Sequence, residues 1–301
     1  MGRVAFVFSG QGDQFPGMGR ELCEQYPAAR EVFALCDTLR PGTSDQCFFG
    51  SDAELKETRN TQPCLFAMEL AAASVLAEAG ITPEAVAGFS LGEVVAATFA
   101  GLTDREEGFR LVCKRGELMQ EAADELDTAM VAVVKLDNNK VRELCAAFSN
   151  VYPVNFNCPG QVSVAGLSSQ INDFAADVKA AGGRALPIKV KGGFHSPFMK
   201  GASEAFGREL DRVAFQRPKT ILYSNKTASP YTDEPARLLS EQICHPVLWE
   251  ELIRNMITSG IDTFVEIGPG KTLKNMIGKI DPAVKCYTVA DLPTILREGI
   301  Q

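Results

Sequence analysis

Residues 85–97, AVAGFSLGEVVAA, constrain the fold more than any other part of the sequence. The small apolar residues at the start of this stretch are typical of a buried parallel strand, and the good helix formers at its end predict a helix. Only a sharp turn can connect the two, and the glycines at 88 and 92 leave room for one. Such a turn would expose the Ser90 hydroxyl group as a nucleophile; otherwise Ser90 is merely a small residue in a turn.

Strand-like and helical segments alternate along the first 126 residues. RVAFVFS predicts a buried strand that leads into the glycine-rich GQGDQFPGMG, and a helical pattern follows from about Arg20 to Leu39. QPCLFAMELAAASVLAEAG predicts a long apolar helix that ends at Gly80. Strand, turn and helix in this order indicate a parallel α/β sheet.

The pattern changes near residue 127. From TAMVAVVKL to RALPIKVK the segments follow the order β-α-β-β-α-β, which is typical of a ferredoxin-like module. Helices and strands alternate again from about Phe194, with TILYSN and IDTFVEIGPG as the clearest strands. We therefore expect an α/β fold: a large parallel-sheet domain, residues 1–126 and 194–301, with an inserted ferredoxin-like α+β subdomain at residues 127–193.

Composition excludes several classes of function. The net charge of −8, from 30 Lys+Arg against 38 Asp+Glu, argues against a nucleic-acid partner. Nine cysteines without a CxxC pair and only two histidines predict neither a metal site nor a disulfide framework, so we expect a reducing cytoplasm. The first residues contain only a short apolar stretch interrupted by glycines, which does not predict a signal peptide. No apolar run is long enough to span a membrane, so we expect no membrane partner.

A nucleophilic serine needs a base, and the two histidines are the candidates. His195 follows a predicted strand in KVKGGFHSPFMKG, where a Gly-Gly loop would let its side chain reach a cleft. His245 precedes a proline in QICHPVLW. We take His195 as the base, the alternatives being His245 or a structural role for either histidine.

Two patterns that suggest a nucleotide cofactor are incomplete. GQGDQFPG has Phe15 where a dinucleotide fingerprint needs its third glycine. GPGKT at residues 268–272 has Val265 where a phosphate-binding loop would begin with glycine. We therefore expect neither NAD nor ATP, and no other cofactor.

Seven segments occur in an order that resembles the malonyl-CoA:acyl carrier protein transacylase family. They are FSGQGDQFPGMG, GFSLGE, KRGELMQ, NFNCPGQVSVAG, GFHSPFM, QICHPVLW and EIGPGKTL. The resemblance covers about residues 3–280. It implies a hydrolase-like α/β domain interrupted by a ferredoxin-like subdomain, in agreement with the order of elements above.

The resemblance implies a catalytic sequence. Ser90 would attack the thioester of malonyl-CoA while His195 takes its proton, and malonyl would then pass to the phosphopantetheine thiol of acyl carrier protein. The backbone N–H groups of Gln11 and Leu91 would form the oxyanion hole. The backbone carbonyl of Gln242, and not an aspartate, would orient the histidine.

The resemblance also implies substrate contacts. Arg115 would hold the malonyl carboxylate in two parallel hydrogen bonds, although a surface salt bridge with Glu117 is the alternative. Asn155 and Asn157 would lie near the cleft, where structural hydrogen bonds explain them almost as well.

Two phenylalanines bear on acyl selectivity. Phe194 resembles the malonyl-type pattern of the family, whereas Phe89 stands where the family usually has histidine. The departure at Phe89 leaves the acyl selectivity open.

An acidic carrier protein needs a basic docking surface on this acidic chain. Lys189 and Lys191, on the same side of a predicted strand, and Lys200 are the candidates, although a solvated surface would explain them as well. We expect a monomer. A chain without fused ketosynthase or carrier segments favours fatty acid synthesis, and polyketide synthesis is the alternative. The alternatives are a serine thioesterase or esterase and an inactive module that binds carrier protein.

Overall fold

Two β-sheets form the framework of the computed structural model, which describes residues 2–300. The strands are β1 (Val4–Phe8), β2 (Ala85–Gly88), β3 (Thr128–Val134), β4 (Val151–Cys158), β5 (Gln161–Leu167), β6 (Arg184–Pro187), β7 (Ile221–Leu222), β8 (Thr263–Ile267) and β9 (Lys285–Thr288).

Fourteen α-helices connect and cover these strands within the described residues, with short 3₁₀ turns at Pro197–Met199 and Val289–Asp291. The helices are α1 (Arg20–Gln25), α2 (Pro27–Leu39), α3 (Thr43–Phe49), α4 (Asp52–Lys56), α5 (Thr58–Glu78), α6 (Leu91–Phe99), α7 (Arg105–Glu125), α8 (Asn138–Ala146), α9 (Ser168–Ala180), α10 (Lys200–Leu210), α11 (Pro235–Gln242), α12 (Trp249–Thr258), α13 (Thr272–Ile280) and α14 (Leu292–Glu298).

The five-stranded sheet is parallel throughout, in the order β7-β2-β1-β8-β9. Its central strand β1 is buried on both faces, because Phe6 and Phe8 pack towards α5 and α7 while Ala5 and Val7 pack towards α12 and α13. This two-sided burial explains why β1 and β2 are continuous apolar runs. The predicted α/β fold with a parallel sheet is confirmed.

The four-stranded sheet is antiparallel, in the order β4-β5-β3-β6. Together with α8 and α9 it follows the ferredoxin-like element order, and it has its own apolar core around Phe174. Val247 joins its edge strand β4 to the larger sheet's domain, through hydrogen bonds from Phe156 N–H to the Val247 carbonyl and from Val247 N–H to the Val154 carbonyl, each 2.9 Å. The division at residues 127 and 193 stays a prediction.

Two sequence-based expectations about element ends are wrong. The single helix expected over Arg20–Leu39 is two helices, because Pro27 holds the preceding Tyr26 in an extended conformation with φ −120° and ψ 123°. The strand expected over RALPIKVK ends at Pro187. Proline has no N–H to donate to a ladder, which suits the end of this edge strand. Lys189 and Lys191 therefore do not share one side of a strand.

Replacing Phe174 by alanine tests whether residues 127–193 behave as a subdomain. The ring is fully buried, so its loss should lower the free energy of unfolding by about 3–5 kcal/mol. Hydrogen exchange, followed by mass spectrometry, should accelerate in β3–β6 before β1 and β8. Phe49→Ala is the matched control because that ring is 66% exposed. Equal acceleration in both sheets would contradict the division.

Candidate active site

The turn at Ser90 joins β2 to α6 in an uncommon backbone conformation, with φ 56° and ψ −109° at the serine. A Cβ atom on Gly88 would lie 1.9 Å from the backbone carbon of Gly92, and one on Gly92 would lie 2.4 Å from the carbonyl oxygen of Phe8. No side chain fits at either position. The strand, the turn and the helix can therefore approach closely enough to project Ser90 from the sheet edge.

Asn225 holds this turn from the side of β7. Its Oδ1 accepts a hydrogen bond from Ser90 N–H at 2.7 Å, and its Nδ2 donates to the Gly88 carbonyl at 2.5 Å. One side chain thus satisfies the two backbone groups that flank Phe89. Sequence reasoning missed Asn225, since an asparagine after a short strand is equally typical of an ordinary turn.

Ser90 and His195 meet although 105 residues separate them, with Ser90 Oγ 2.7 Å from His195 Nε2. On the other side of the ring, His195 Nδ1 lies 2.9 Å from the Gln242 carbonyl oxygen. A carbonyl can only accept, so Nδ1 carries the hydrogen and Nε2 is free to accept the Ser90 proton. His245 lies elsewhere, with Nδ1 2.7 Å from the Glu241 carbonyl oxygen.

The surroundings of His195 keep its ring neutral. Burial and the nearby Arg115 cation lower the pKa of His195 from 6.5 to about 4. A neutral imidazole can take a proton from a serine hydroxyl at neutral pH, and the imidazolium so formed is a strong proton donor.

Two backbone N–H groups beside Ser90 are available to a developing negative charge. Leu91 begins α6, so its N–H has no acceptor within the helix. Across residues 2–300, the Gln11 backbone N–H donates to no protein acceptor. The Ser90 N–H is already used by Asn225. Gln11 and Leu91 both line the cavity in front of Ser90.

Arg115 lies fully buried behind the serine on α7. One guanidinium nitrogen lies 3.2 Å from Ser90 Oγ and donates to Gln242 Oε1 at 2.7 Å, and the other donates to Gln62 Oε1 at 2.8 Å. The alternative of a surface salt bridge with Glu117 is wrong, because the Arg115 side chain is fully buried and the exposed Glu117 pairs with Lys114. Sequence reasoning did not single out Gln62, which stands between Arg115 and the cavity.

A cavity of about 330 Å³ opens in front of Ser90, between the two sheets. It brings together eight predicted site residues: Gln11, Phe89, Ser90, Leu91, Asn155, Asn157, Phe194 and His195. Its remaining walls are largely apolar, including Met119, Met130, Ala132, Ile188, Val190, Leu273 and Met276.

Three of these residues shape the cavity wall. Asn155 and Asn157 are buried on β4, and the Oδ1 atom of each has no hydrogen-bond partner within the described chain. Phe89 packs its ring against Trp249, with centroids 5.4 Å apart. The wall beside Ser90 is therefore aromatic at position 89, where the family that the sequence resembles usually has histidine.

The three predicted docking lysines lie outside this cavity. Lys189 and Lys191 follow β6 in an irregular segment, and Lys191 Nζ pairs with Asp124 Oδ1 at 2.5 Å. Lys200, at the start of α10, is 3.9 Å from Glu204. All three are exposed.

Within residues 2–300, no three metal-binding side chains are clustered closely enough to hold an ion. Over the same range, no helix is long and apolar enough to cross a membrane.

Comparisons with known proteins give a consistent result. The family model described as acyl transferase domain matches residues 5–290. Malonyl CoA-acyl carrier protein transacylase of Bacillus subtilis is 37% identical over 304 residues, which cover 98% of this chain and 96% of that protein. The protein of the same name from Staphylococcus aureus strain MRSA252 is 32% identical over 98% of both chains.

Solved structures with a similar fold are of proteins with the same kind of name. The malonyl CoA-acyl carrier protein transacylase of Clostridium perfringens superposes with a TM-score of 0.94 at 32% identity, over 98% of both chains. A type II PKS acyl-carrier protein in complex with its malonyl-transacylase also gives 0.94, at 34% identity, over 98% of this chain and 99% of that one.

The low pKa of His195 predicts an unusual pH profile. The rate at which a neutral sulfonyl fluoride modifies Ser90 should stay level from about pH 8 to about pH 5 and fall only towards pH 4, where protonation occupies Nε2. Such a reagent has no carboxylate for Arg115 to bind, so the charge of Arg115 does not affect its binding.

Intact-mass spectrometry at each pH measures that rate, with circular dichroism to confirm folding. Ser90→Ala should remain unmodified, and His245→Gln should give the unchanged profile. Glu93 is another buried group near Ser90, with a pKa raised to about 7, so an inflection near the free imidazole value of about 6.5 contradicts the assignment if it persists in Glu93→Gln.

Proposed function

Because the chain belongs to the acyl transferase family, we propose that it moves malonyl from malonyl-CoA to the phosphopantetheine thiol of an acyl carrier protein. One observation carries the proposal: Ser90 Oγ lies within hydrogen-bond distance of both His195 Nε2 and the Arg115 guanidinium. A nucleophile, its base and a cation for a carboxylate substituent are thus gathered around one oxygen atom.

In the first half-reaction, His195 Nε2 takes the Ser90 proton as Oγ attacks the thioester carbonyl carbon of malonyl-CoA. The carbonyl oxygen becomes negative and faces the N–H groups of Gln11 and Leu91, each worth about 2.7–4 kcal/mol in comparable oxyanion holes. The C–S bond then breaks, and the CoA sulfur leaves with the proton held by His195. Malonyl remains as an ester of Ser90.

The second half-reaction repeats these steps with a different thiol. His195 takes the proton of the carrier-protein thiol, whose sulfur attacks the malonyl ester. The Ser90–acyl bond breaks, and Ser90 Oγ recovers the proton from His195. The Gln242 carbonyl holds the ring in the required tautomer through both halves.

Acyl selectivity follows from Arg115. Malonyl presents a carboxylate that this buried cation can bind, whereas acetyl leaves the charge without a partner. We propose that Asn155, Asn157 and Phe194 complete the pocket, and that Phe89 shapes its wall without entering the proton transfer.

The proposal also includes the oligomeric state, the cellular location and the pathway. All proposed site residues lie on one chain, so a monomer is sufficient for the reaction. Nine free cysteines suit a reducing cytoplasm, where malonyl-carrier protein would supply fatty acid synthesis. No specific observation favours a thioesterase or esterase.

Mass spectrometry of the intact protein tests the reaction directly. Incubation with malonyl-CoA should add one malonyl group to the wild type and none to Ser90→Ala, because the acyl-enzyme is an ester of that hydroxyl group. Addition of holo-carrier protein should then move the malonyl group onto the carrier. Release only as free malonate would support a hydrolase instead.

Removal of the cation should abolish selectivity for malonyl over acetyl. Arg115→Ala should lower kcat/KM for malonyl-CoA by about 100-fold and leave acetyl-CoA within about threefold of its original value. Arg110→Ala is the matched control, since this arginine lies on the exposed face of the same helix. An unchanged ratio in Arg115→Ala would refute the carboxylate contact.

Charge reversal tests Lys189, Lys191 and Lys200 as the carrier-protein docking surface. Lys189→Glu and Lys200→Glu should raise KM for carrier protein without changing KM for malonyl-CoA. Lys191→Glu should act in the same direction, because it reverses the charge and also leaves Asp124 without its cation. Lys179→Glu, exposed on α9, serves as control. Equal changes in both KM values would exclude this docking surface.

A further inference from the structure

Arg115 is a buried cation without a direct counter-ion. Its side chain has no exposed surface, and among residues 2–300 no carboxylate lies within 4.0 Å of its guanidinium nitrogens. Its Nε–H has no hydrogen-bond partner in the same part of the chain. A buried charge of this kind needs compensation from elsewhere in the protein.

The side chain of Gln242 connects Arg115 to the nearest anion. Its Oε1 accepts from the guanidinium at 2.7 Å, and its Nε2 donates to Glu93 Oε2 at 2.7 Å and to the Ser90 carbonyl at 2.6 Å. Arginine can only donate, so the amide oxygen must face Arg115 and the NH₂ group must face Glu93. The amide orientation is thereby fixed.

Glu93 is buried on α6 and accepts hydrogen bonds on both carboxylate oxygens. Oε1 receives Tyr231 OH at 2.7 Å and Asn225 N–H at 3.2 Å, while Oε2 receives Gln242 Nε2. Neither the backbone N–H nor the amide can act as an acceptor. Tyr231 OH is the one partner that can also accept, so the three contacts fit an ionised carboxylate that accepts all of them.

We propose that Glu93 is a positioning residue for acyl selectivity: its carboxylate balances Arg115 across the Gln242 amide, so that the guanidinium is held by neutral acceptors that the carboxylate of the substrate can replace. A carboxylate in direct contact would occupy the same donors and repel a second anion. With the amide between them, Glu93 stabilises the cation and fixes its direction without competing for it. The inference rests on the proposed malonyl transfer.

The electrostatics of the pair agree with this arrangement. Burial raises the pKa of Glu93 to about 7, against the hydrogen bonds from Tyr231, Gln242 and Asn225 and the charge of Arg115. Burial lowers the pKa of Arg115 to about 10, and the Glu93 carboxylate opposes that decrease. Both groups are predominantly charged at pH 8, so the test is performed there.

A purely structural role for Glu93 makes a different prediction. Glu93 also binds Asn225, which holds the Ser90 turn. If Glu93 only braced that turn, its loss would slow acylation by every thioester equally. A role through Arg115 would slow malonyl transfer selectively. The ratio of kcat/KM for malonyl-CoA to that for acetyl-CoA separates the two roles.

Glu93→Gln removes the charge with almost no change of shape. Its amide oxygen can accept from Gln242 Nε2 and its NH₂ group can donate to Tyr231 OH, while the hydrogen bond from Asn225 N–H is lost. Ser90 acylation, measured at pH 8 by intact mass, should show the malonyl-to-acetyl ratio lowered by about tenfold or more, with acetyl-CoA within about threefold of wild type. Tyr231→Phe removes a hydrogen bond to Glu93 but keeps the charge, and should retain the wild-type ratio. Equal losses for both thioesters would overturn the proposal.

Two double variants test the proposal separately from any effect that Glu93→Gln has on folding. In an Arg115→Ala background, Glu93→Gln should not change the ratio further, and an additional change would overturn the proposal. Glu93→Gln with Gln242→Glu keeps the net charge but moves the carboxylate into contact with Arg115, so malonyl preference should remain low. A wild-type ratio in that variant would also overturn it.

The outcomes for the wild type keep the two proposals separate. A wild-type protein that forms no malonyl ester at Ser90 contradicts the proposed function itself. A wild type that prefers malonyl, with a Glu93→Gln variant that retains this preference, contradicts only the role of Glu93.

Discussion

The 2.7 Å hydrogen bond between Ser90 Oγ and His195 Nε2 is the interaction on which the rest of the site depends. Both residues have positive φ, 56° and 60°, which costs on the order of 1–3 kcal/mol each for a residue other than glycine. Surrounding bonds maintain these conformations: Asn225 holds the serine turn, and His195 N–H donates to the Ile243 carbonyl. Gln242 orients the imidazole ring through its backbone and holds Arg115 through its side chain.

The proposed reaction makes two opposite demands on the charges around this hydrogen bond: a neutral His195 and a charged Arg115. The base must be neutral to accept a proton, and the Arg115 cation helps to keep His195 neutral by lowering its pKa. In the proposed reaction the same cation would also attract the carboxylate of the acyl group, which requires that the protein does not neutralise it by direct contact. Glu93 lies beyond the Gln242 amide, an arrangement that would meet both requirements in a buried region where charges interact strongly.

The alternation of strands and helices predicted the α/β fold, and the two glycines of the Ser90 turn predicted the close contact between strand and helix that is found there. The cavity brings Ser90 and His195 together as their sequence contexts suggested. Gln62, Glu93 and Asn225 could not be found in this way, because their roles depend on partners 53, 149 and 135 residues away. The strand expected through Lys189 and Lys191 ends early, at Pro187, although its partner β3 continues to Thr128, and periodicity alone does not show where a strand leaves its partner.

The central claim is that malonyl is held on Ser90 between two separate half-reactions. Isotope exchange between labelled CoA and malonyl-CoA, measured without any carrier protein, tests this claim most directly. The account predicts rapid exchange in the wild type and none in Ser90→Ala, because the first half-reaction is complete and reversible by itself. Exchange that requires carrier protein would show a direct transfer between the two thiols and would contradict the acyl-enzyme.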